Sequence, residues 1–213
     1  MDNILAIPRL ETLPAGEWGA IRQSMKAGLR LSFQQSWLTK PESDFEPGYV
    51  RLGCFENTFL VYARLRDQEP KNLSARWNED AWKLGDVIEL FLRVDGCRDY
   101  YELHVTPENQ RLQIRFPESS SASTRKIIPE EWKVDESLFS SIARVNRARS
   151  GWEAFLSVDL ASLFGREWLS RSFHFLMGRY DYQPGRKLPV LSATAPITIP
   201  RFHRLHEWSQ ARL

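Results

Sequence analysis

The stretch AWKLGDVIELFLRVDGCRDYYELHVTPENQ, residues 81–110, carries the strongest fold signal in the chain. Two runs rich in strand-forming residues, DVIELFLRV and YYELHVT, flank DGCRD, a loop that contains the Asp-Gly turn signal. The residues ENQ then turn the chain into RLQIRF, in which apolar and polar residues alternate. The pattern predicts three antiparallel strands that follow one another as a meander.

Polar residues interrupt the first two of these strands in the middle. Glu89 lies in the first, and Glu102 and His104 lie in the second. Because side chains alternate between the two faces of a strand, these residues can share one face, and Gln113 with either Arg111 or Arg115 can join them if the register matches. Such a face either meets water, with cross-strand pairs such as Glu102 and Arg115, or lines a ligand site.

Further strands are predicted on both sides of the meander. The runs YVRLGCF and TFLVYARLR are joined by EN, and SIARVNR, GWEAFLSV, SFHFLMGRY and ITIPRFHRLHEW follow later. The segment DLASLFG predicts a short helix that begins after Asp159 and stops at Gly165. EWGAIRQSMKAGLRLSF predicts a short helix followed by a strand.

About eight or nine strands at this spacing indicate an all-β protein, an antiparallel β-sandwich with one or two short helices. We predict a single domain over residues 1–213, with residues 1–40 as an N-terminal strand and helix segment of that domain.

Composition excludes several functional classes. The 213 residues contain 29 basic and 27 acidic residues, well interspersed, for a net charge of +2, which gives no sign of a nucleic-acid surface. The apolar runs are too short for a membrane span, and MDNILAIPRL lacks the pattern of an export signal, so the sequence leaves the compartment unknown. Cys54 and Cys97 form no CxxC or metal half-site and are expected to be unpaired.

The central motif resembles the family-9 carbohydrate-binding modules and their DOMON-like relatives. It consists of Trp82, the run GDVIELF at 85–91, the run YYELHV at 100–105, and PEN at 107–109. The segments TFLVYARLRD, LSAT and FHRLHEW also fall where the family has similar ones, so the likeness covers about residues 45–208. The resemblance implies a β-sandwich with a saccharide-binding surface on one sheet, and a possible secreted or periplasmic context.

The resemblance also implies roles for individual residues. The family's first aromatic platform falls on Trp82, with Trp77 as a nearby substitute, and the carboxylate that accepts hydroxyl hydrogen bonds falls on Glu89. A polar position that is often Arg in sugar-binding members falls on His104. The second tryptophan of the family's aromatic clamp has no counterpart in LPVLSATAPITIPRF.

These residue types suit a sugar. A pyranose ring presents an apolar C–H face, which an aromatic ring covers, and hydroxyls, which carboxylates bind with charge-assisted hydrogen bonds. We therefore predict a non-catalytic module with no resident cofactor and no membrane or nucleic-acid partner, of the kind that serves as an accessory domain of a glycan-active protein. The predicted ligand-binding residues are Trp82, Glu89, His104, Trp77, Glu102 and Arg115.

Four alternatives stay open. The same sheet face could meet a protein partner, in which case a broad exposed apolar patch is expected in place of a buried polar face. Some DOMON relatives bind haem through Met and His, and this chain has Met177 with His104, His174 and His203. Glu89 and Glu102 could also form a catalytic carboxylate pair. Finally, Asp95 and Asp99 could bind a structural calcium ion, although two acids make an incomplete site.

Overall fold

The fold is a sandwich of two mainly antiparallel sheets, seen in a computed structural model that describes residues 4–14, 16–117, 128–166 and 171–213. Of the described residues, 42% are in strands and 14% in helices. This confirms the predicted β-sandwich. No helix in the described ranges is both long and apolar enough to cross a membrane.

One sheet contains the three strands of the predicted meander. The strands are β1 (Leu5–Ala6), β5 (Val87–Val94), β6 (Tyr100–Val105), β7 (Arg111–Phe116), β10 (Phe173–Asp181), β11 (Val190–Ala193) and β12 (Ser209–Arg212). Their order is β1-β12-β10-β5-β6-β7, and β11 also pairs with β10. We call this sheet A.

The second sheet, sheet B, contains the remaining strands of the described chain. They are β2 (Leu29–Ser32), β3 (Gly48–Phe55), β4 (Thr58–Arg66), β8 (Ser140–Asn146) and β9 (Gly151–Asp159), in the order β2-β3-β4-β9-β8. Helix α1 (Trp18–Ser24) precedes β2, as the N-terminal pattern predicted.

The main core lies between the two sheets. Its apolar side chains come from alternate positions, which is why the runs alternate in sequence. In β3 these are Val50, Leu52 and Cys54, and in β5 they include Leu90 and Leu92. Trp152 also lies in this core, and Cys54 is a free thiol there.

Helix α2 (Leu160–Phe164) confirms its predicted caps. The Asp159 carboxylate accepts a hydrogen bond from the Ala161 N–H at 3.0 Å, which satisfies one of the free donors of the first turn. Gly165 ends the helix at φ +81°, a conformation that glycine adopts without strain.

The prediction for residues 197–208 is wrong. This segment is a loop with one 3₁₀ turn at Leu205–Glu207, and the closing strand is β12, which begins only at Ser209. The loop crosses the outer face of sheet A, where Phe202 and Trp208 join a second apolar cluster. Packing across the sheet therefore overrides the alternating pattern of the segment.

Candidate functional site

The candidate site lies on the outer face of sheet A, at the centre of β5 and β6. Leu90 of β5 and Leu103 of β6 form a cross-strand pair that faces the core, so the residues beside them face outward. Glu89 is opposite His104, and Glu102 is two residues away from His104 along β6. The two strands thus bring the three predicted polar residues together.

This outer face is covered rather than open to water. Phe91, Leu176, Ile197, Phe202 and Trp208 belong to the apolar cluster packed on it. As a result the polar residues are buried: Glu89 is 2% exposed, Glu102 4% and His104 0%. We call Glu89, Glu102 and His104 the acidic cluster.

Short contacts join the members of the acidic cluster. His104 Nε2 lies 2.5 Å from Glu102 Oε1 and 3.4 Å from Glu89 Oε1. On the other side, His203 Nε2 lies 3.7 Å from Glu102 Oε2. One atom from each of Glu89, Glu102 and His104 lies within 4.8 Å of the others, a spacing that could also hold a metal ion.

Two atoms of the cluster keep unused hydrogen-bonding capacity. Glu102 Oε2 and His104 Nδ1 are buried and have no hydrogen-bond partner among the described residues. A buried polar atom without a partner costs free energy, commonly about 1–3 kcal/mol, and native proteins keep few of them. An ordered water, an ion or a ligand can supply the missing partner of such an atom.

Burial also changes the pKa of Glu89. Loss of solvation raises the pKa of its carboxyl well above the usual value, and the nearby Glu102 charge raises it further. Burial therefore favours the protonated form of Glu89, which can both donate and accept a hydrogen bond. The pKa of Tyr180 is likewise raised well above its usual value, first by burial and then by Glu89 and Glu102.

Trp82 forms a wall beside the acidic cluster. Its ring is half-buried, and its centroid lies 5.7 Å from that of His104 in an edge-to-face arrangement. Lys83 lies over the indole at 5.0 Å. The Tyr182 hydroxyl donates to the Trp82 carbonyl at 2.7 Å, which helps to fix the backbone of the 3₁₀ turn Ala81–Lys83.

The segment before β5 holds this turn in place. Asn72 Nδ2 donates to the Ala81 carbonyl at 2.9 Å and to the Asp86 carbonyl at 3.1 Å. Gly85, at φ +145°, passes so close to the chain that an added Cβ would lie 2.2 Å from the Lys71 carbonyl oxygen. Only glycine allows that approach, so the Gly85-Asp86 step fixes Trp82 relative to β5.

On the side of the acidic cluster away from Trp82 lie residues that the sequence did not predict for this site. Tyr100 donates or accepts a hydrogen bond with His203 Nδ1 at 3.0 Å, and Phe91 contacts the His203 ring at 5.3 Å between centroids. Phe202 lies over Gly178, the β10 residue that is opposite Glu89. The contacts of His203 with Tyr100 and Phe91 join segments more than 100 residues apart in sequence, so no local pattern could reveal them.

Two of the predicted ligand-binding residues lie elsewhere. Glu102 is opposite Ile114 in the β6–β7 register, so Arg111, Gln113 and Arg115 point to the other face of sheet A, and the predicted shared face is wrong for them. Arg115 pairs with Asp99 at 2.6 Å and not with Glu102. Trp77 stacks with Arg111, whose guanidinium carbon is 4.6 Å from the ring centroid.

The Met and His of the haem alternative lie on opposite faces of sheet A, and the two acids of the calcium alternative bind other side chains. Met177 is buried in the core between the sheets, whereas His104 lies on the outer face. Asp95 accepts hydrogen bonds from His174 at 2.8 Å and from Gln210 at 3.1 Å, and Asp99 is bound to Arg115.

A second buried acidic group lies at the edge of the sandwich. One oxygen from each of Asp67, Asp86 and Asp181 lies within 4.8 Å of the others, and Arg179 Nη2 lies 3.0 Å from Asp181. Burial and the neighbouring carboxylates raise the pKa of Asp67 to about 8, and burial raises that of Asp86 to about 6. This group too has a spacing that could hold a cation.

Comparison with known proteins supports the fold. No family model and no curated protein matches the sequence. Among solved structures, a Bacteroides uniformis protein assigned provisionally to carbohydrate binding superposes with a TM-score of 0.71 at 11% identity over 99% of both chains.

Two further structures are of a family-9 carbohydrate-binding module from Caldicellulosiruptor kristjanssonii. The complex with cellotriose has a TM-score of 0.61 at 9% identity and covers 99% of this chain and 93% of that one. The complex with glucose has a TM-score of 0.60 at 9% identity, with 99% and 95% covered. The chain therefore has the fold of family-9 carbohydrate-binding modules, as its central motif predicted.

Proposed function

We propose that this chain is a non-catalytic carbohydrate-binding module that holds a saccharide at the acidic cluster, against Trp82. The observation that carries the proposal is the combination of unpartnered buried atoms, Glu102 Oε2 and His104 Nδ1, with a half-buried tryptophan beside them. A sugar ring presents the complementary groups, with hydroxyls for the polar atoms and a C–H face for the indole.

The solved structures with this fold support the same proposal. The two structures of a family-9 module are complexes with cellotriose and with glucose. A site whose polar groups are almost fully buried suits the end of a sugar chain better than its middle. The proposed binding needs no cofactor, since side-chain groups alone satisfy the hydroxyls.

A protein-interaction module is the alternative function. That role would place the outer face of sheet A against a partner protein, and it predicts an exposed apolar patch. The burial of Glu89 and His104 favours a small polar ligand instead. Screening the purified chain on a glycan array separates the two, because a protein-binding module captures no glycan.

The residue-level test is Trp82→Ala. Loss of the indole removes stacking worth on the order of 1 kcal/mol together with the water exclusion that the ring provides, so we expect affinity for the captured glycan to fall at least about tenfold. Titration calorimetry measures the affinity, and the melting temperature should change little. Trp77→Ala is the matched control and should leave binding unchanged.

Trp82 could instead be a core residue. In that case Trp82→Ala would leave a cavity that costs about 3–5 kcal/mol of stability. A large drop in melting temperature, or unchanged affinity for a glycan that the wild type binds, removes Trp82 from the site.

A further inference from the structure

A second cleft opens on the same face of sheet A, next to the acidic cluster. Its volume is about 560 Å³, within the range of about 300–1,000 Å³ typical of small-molecule sites. Strands β5 and β10 supply its base, where Arg93 is opposite His174, and the loop after β11 supplies the rest. The polar side chains that line it are all basic or imidazole groups: Arg93, His174, Arg201, His203, Arg204 and His206.

Only some of these basic side chains pair with a carboxylate. Arg204 Nη2 pairs with Glu207 at 2.6 Å, and His174 pairs with Asp95 at 2.8 Å. Arg93 donates from Nε to the Cys97 carbonyl at 3.1 Å, a neutral acceptor. Within the described ranges, neither Arg93 nor Arg201 has a carboxylate at ion-pair distance. Among the residues that the structure describes, the guanidinium groups of Arg93 and Arg201 in the cleft thus have no carboxylate partner.

The cleft and the acidic cluster share one neighbouring residue. His203 lines the cleft, and its Nε2 also lies 3.7 Å from Glu102 Oε2. Arg93 and Glu89 lie on the same face of β5 and are four residues apart, which places them about 13 Å from each other along the strand. One sugar ring cannot reach both residues, whereas an oligosaccharide can.

We propose that this cleft binds an acidic group on the saccharide, either a uronic-acid carboxylate or a sulfate ester, in another sugar unit of the chain held at Trp82. The inference rests on the proposed function and adds a substrate class to it. Guanidinium groups suit these anions because their planar N–H donors match two oxygens at once. A histidine in the same wall can add a further N–H donor.

The test uses a glycan array that holds matched acidic and neutral forms of several backbones, such as oligogalacturonate and its full methyl ester, and sulfated and unsulfated disaccharides. We expect an acidic form to bind at least about tenfold more tightly than its neutral partner at low salt, with a smaller preference at high salt because ions screen the charges. The form that shows the preference tells a carboxylate ligand from a sulfate ligand.

The double variant Arg93→Gln with Arg201→Gln assigns the effect to the cleft. It should abolish the preference for the acidic form and leave the affinity for the neutral form unchanged. Arg149→Gln is the matched control, since Arg149 is exposed in the turn between β8 and β9 of sheet B. That control should keep the preference.

Three results overturn the inference. In the first, neutral glycans bind but no acidic form binds more tightly than its partner. In the second, the double variant loses neutral and acidic binding alike. In the third, oligothymidylate binds as tightly as the acidic glycan, which indicates a general electrostatic patch. If no glycan of either kind binds, the proposed function fails as well.

Discussion

Two carboxyl groups and an imidazole share one buried space in this protein, and burial there shifts the pKa of one of them, Glu89. Burial, and then the nearby Glu102 charge, raise the pKa of Glu89 well above its ordinary value. In the unfolded chain Glu89 would ionise near its ordinary value of 4.5. The folded state therefore holds a proton that the unfolded state releases, and the free energy of unfolding falls as the pH rises above that value.

This coupling predicts the behaviour of Glu89→Gln. The amide resembles the protonated carboxyl in shape and cannot ionise, so the variant should melt at a higher temperature than the wild type at pH 8 and at about the same temperature near pH 4. Calorimetric scans at several pH values measure the difference. Glu131→Gln, at an exposed position, should show no such trend. A difference that does not change with pH would show that Glu89 is charged in the folded protein.

The loop at residues 194–208 acts at the scale of elements, because it turns the outer face of sheet A into an interior. Phe202 packs over Gly178, and the Trp208 indole N–H donates to the Phe202 carbonyl at 2.6 Å. Glu207 binds both Thr198 and Arg204 and closes the loop on itself. Without this loop, Glu89 and its neighbours would face water.

A test of this packing is Gly178→Ala. The added Cβ would lie 2.6 Å from Phe202 Cδ2, and the ring has little room to move because it is buried against Phe91 and Tyr180. We expect a loss of about 1–3 kcal/mol in the free energy of unfolding, measured by denaturant titration. Gly19→Ala is the control, since its added Cβ meets nothing within 4 Å. Equal effects of the two variants would contradict the proposed packing.

The outer face of sheet A and the loop that covers it show what the sequence could and could not predict. Alternation in β6 was enough to place Glu102 and His104 on one face, because period-2 geometry is local, whereas Glu89 joins them only through the β5–β6 register. It could not place Arg115, since the β6–β7 register depends on which residues the outer cluster buries, and Ile114 and Phe116 are buried there. The strand predicted at 197–208 failed for a related reason: the contacts of Phe202 are with distant strands.

At the scale of the whole molecule, a buried ionic group joins the two sheets. Asp67 follows β4 of sheet B, whereas Asp181 ends β10 of sheet A. Arg179 lies between them, and its guanidinium also donates to the carbonyls of Glu46 at 2.8 Å and Arg66 at 2.6 Å. Ionising three carboxyl groups beside one guanidinium in a buried space costs solvation free energy and adds repulsion between the carboxylates. These effects raise the pKa of Asp67 to about 8.

Asp67→Asn should therefore change the pH dependence of stability. The wild type has the full stabilisation from a protonated Asp67 below pH 3.8, its ordinary pKa, and loses it as the pH rises towards about 8. The variant should melt higher than the wild type at pH 9, with each kcal/mol worth about 2–4 °C in a protein of this size. Near pH 4 the two should agree. Asp135→Asn, an exposed control, should not alter the curve, and an Asp67→Asn curve parallel to the wild type would contradict the proposed protonation.

The central claim is that a saccharide binds at the acidic cluster, and the most direct measurement is a crystal structure of the chain with the best ligand from the glycan array. We predict a sugar ring against Trp82, with a hydroxyl oxygen at hydrogen-bond distance, about 3 Å, from Glu102 Oε2. Density for the sugar at another surface, such as the stacked pair of Trp77 and Arg111, with the acidic cluster unchanged, would contradict the claim.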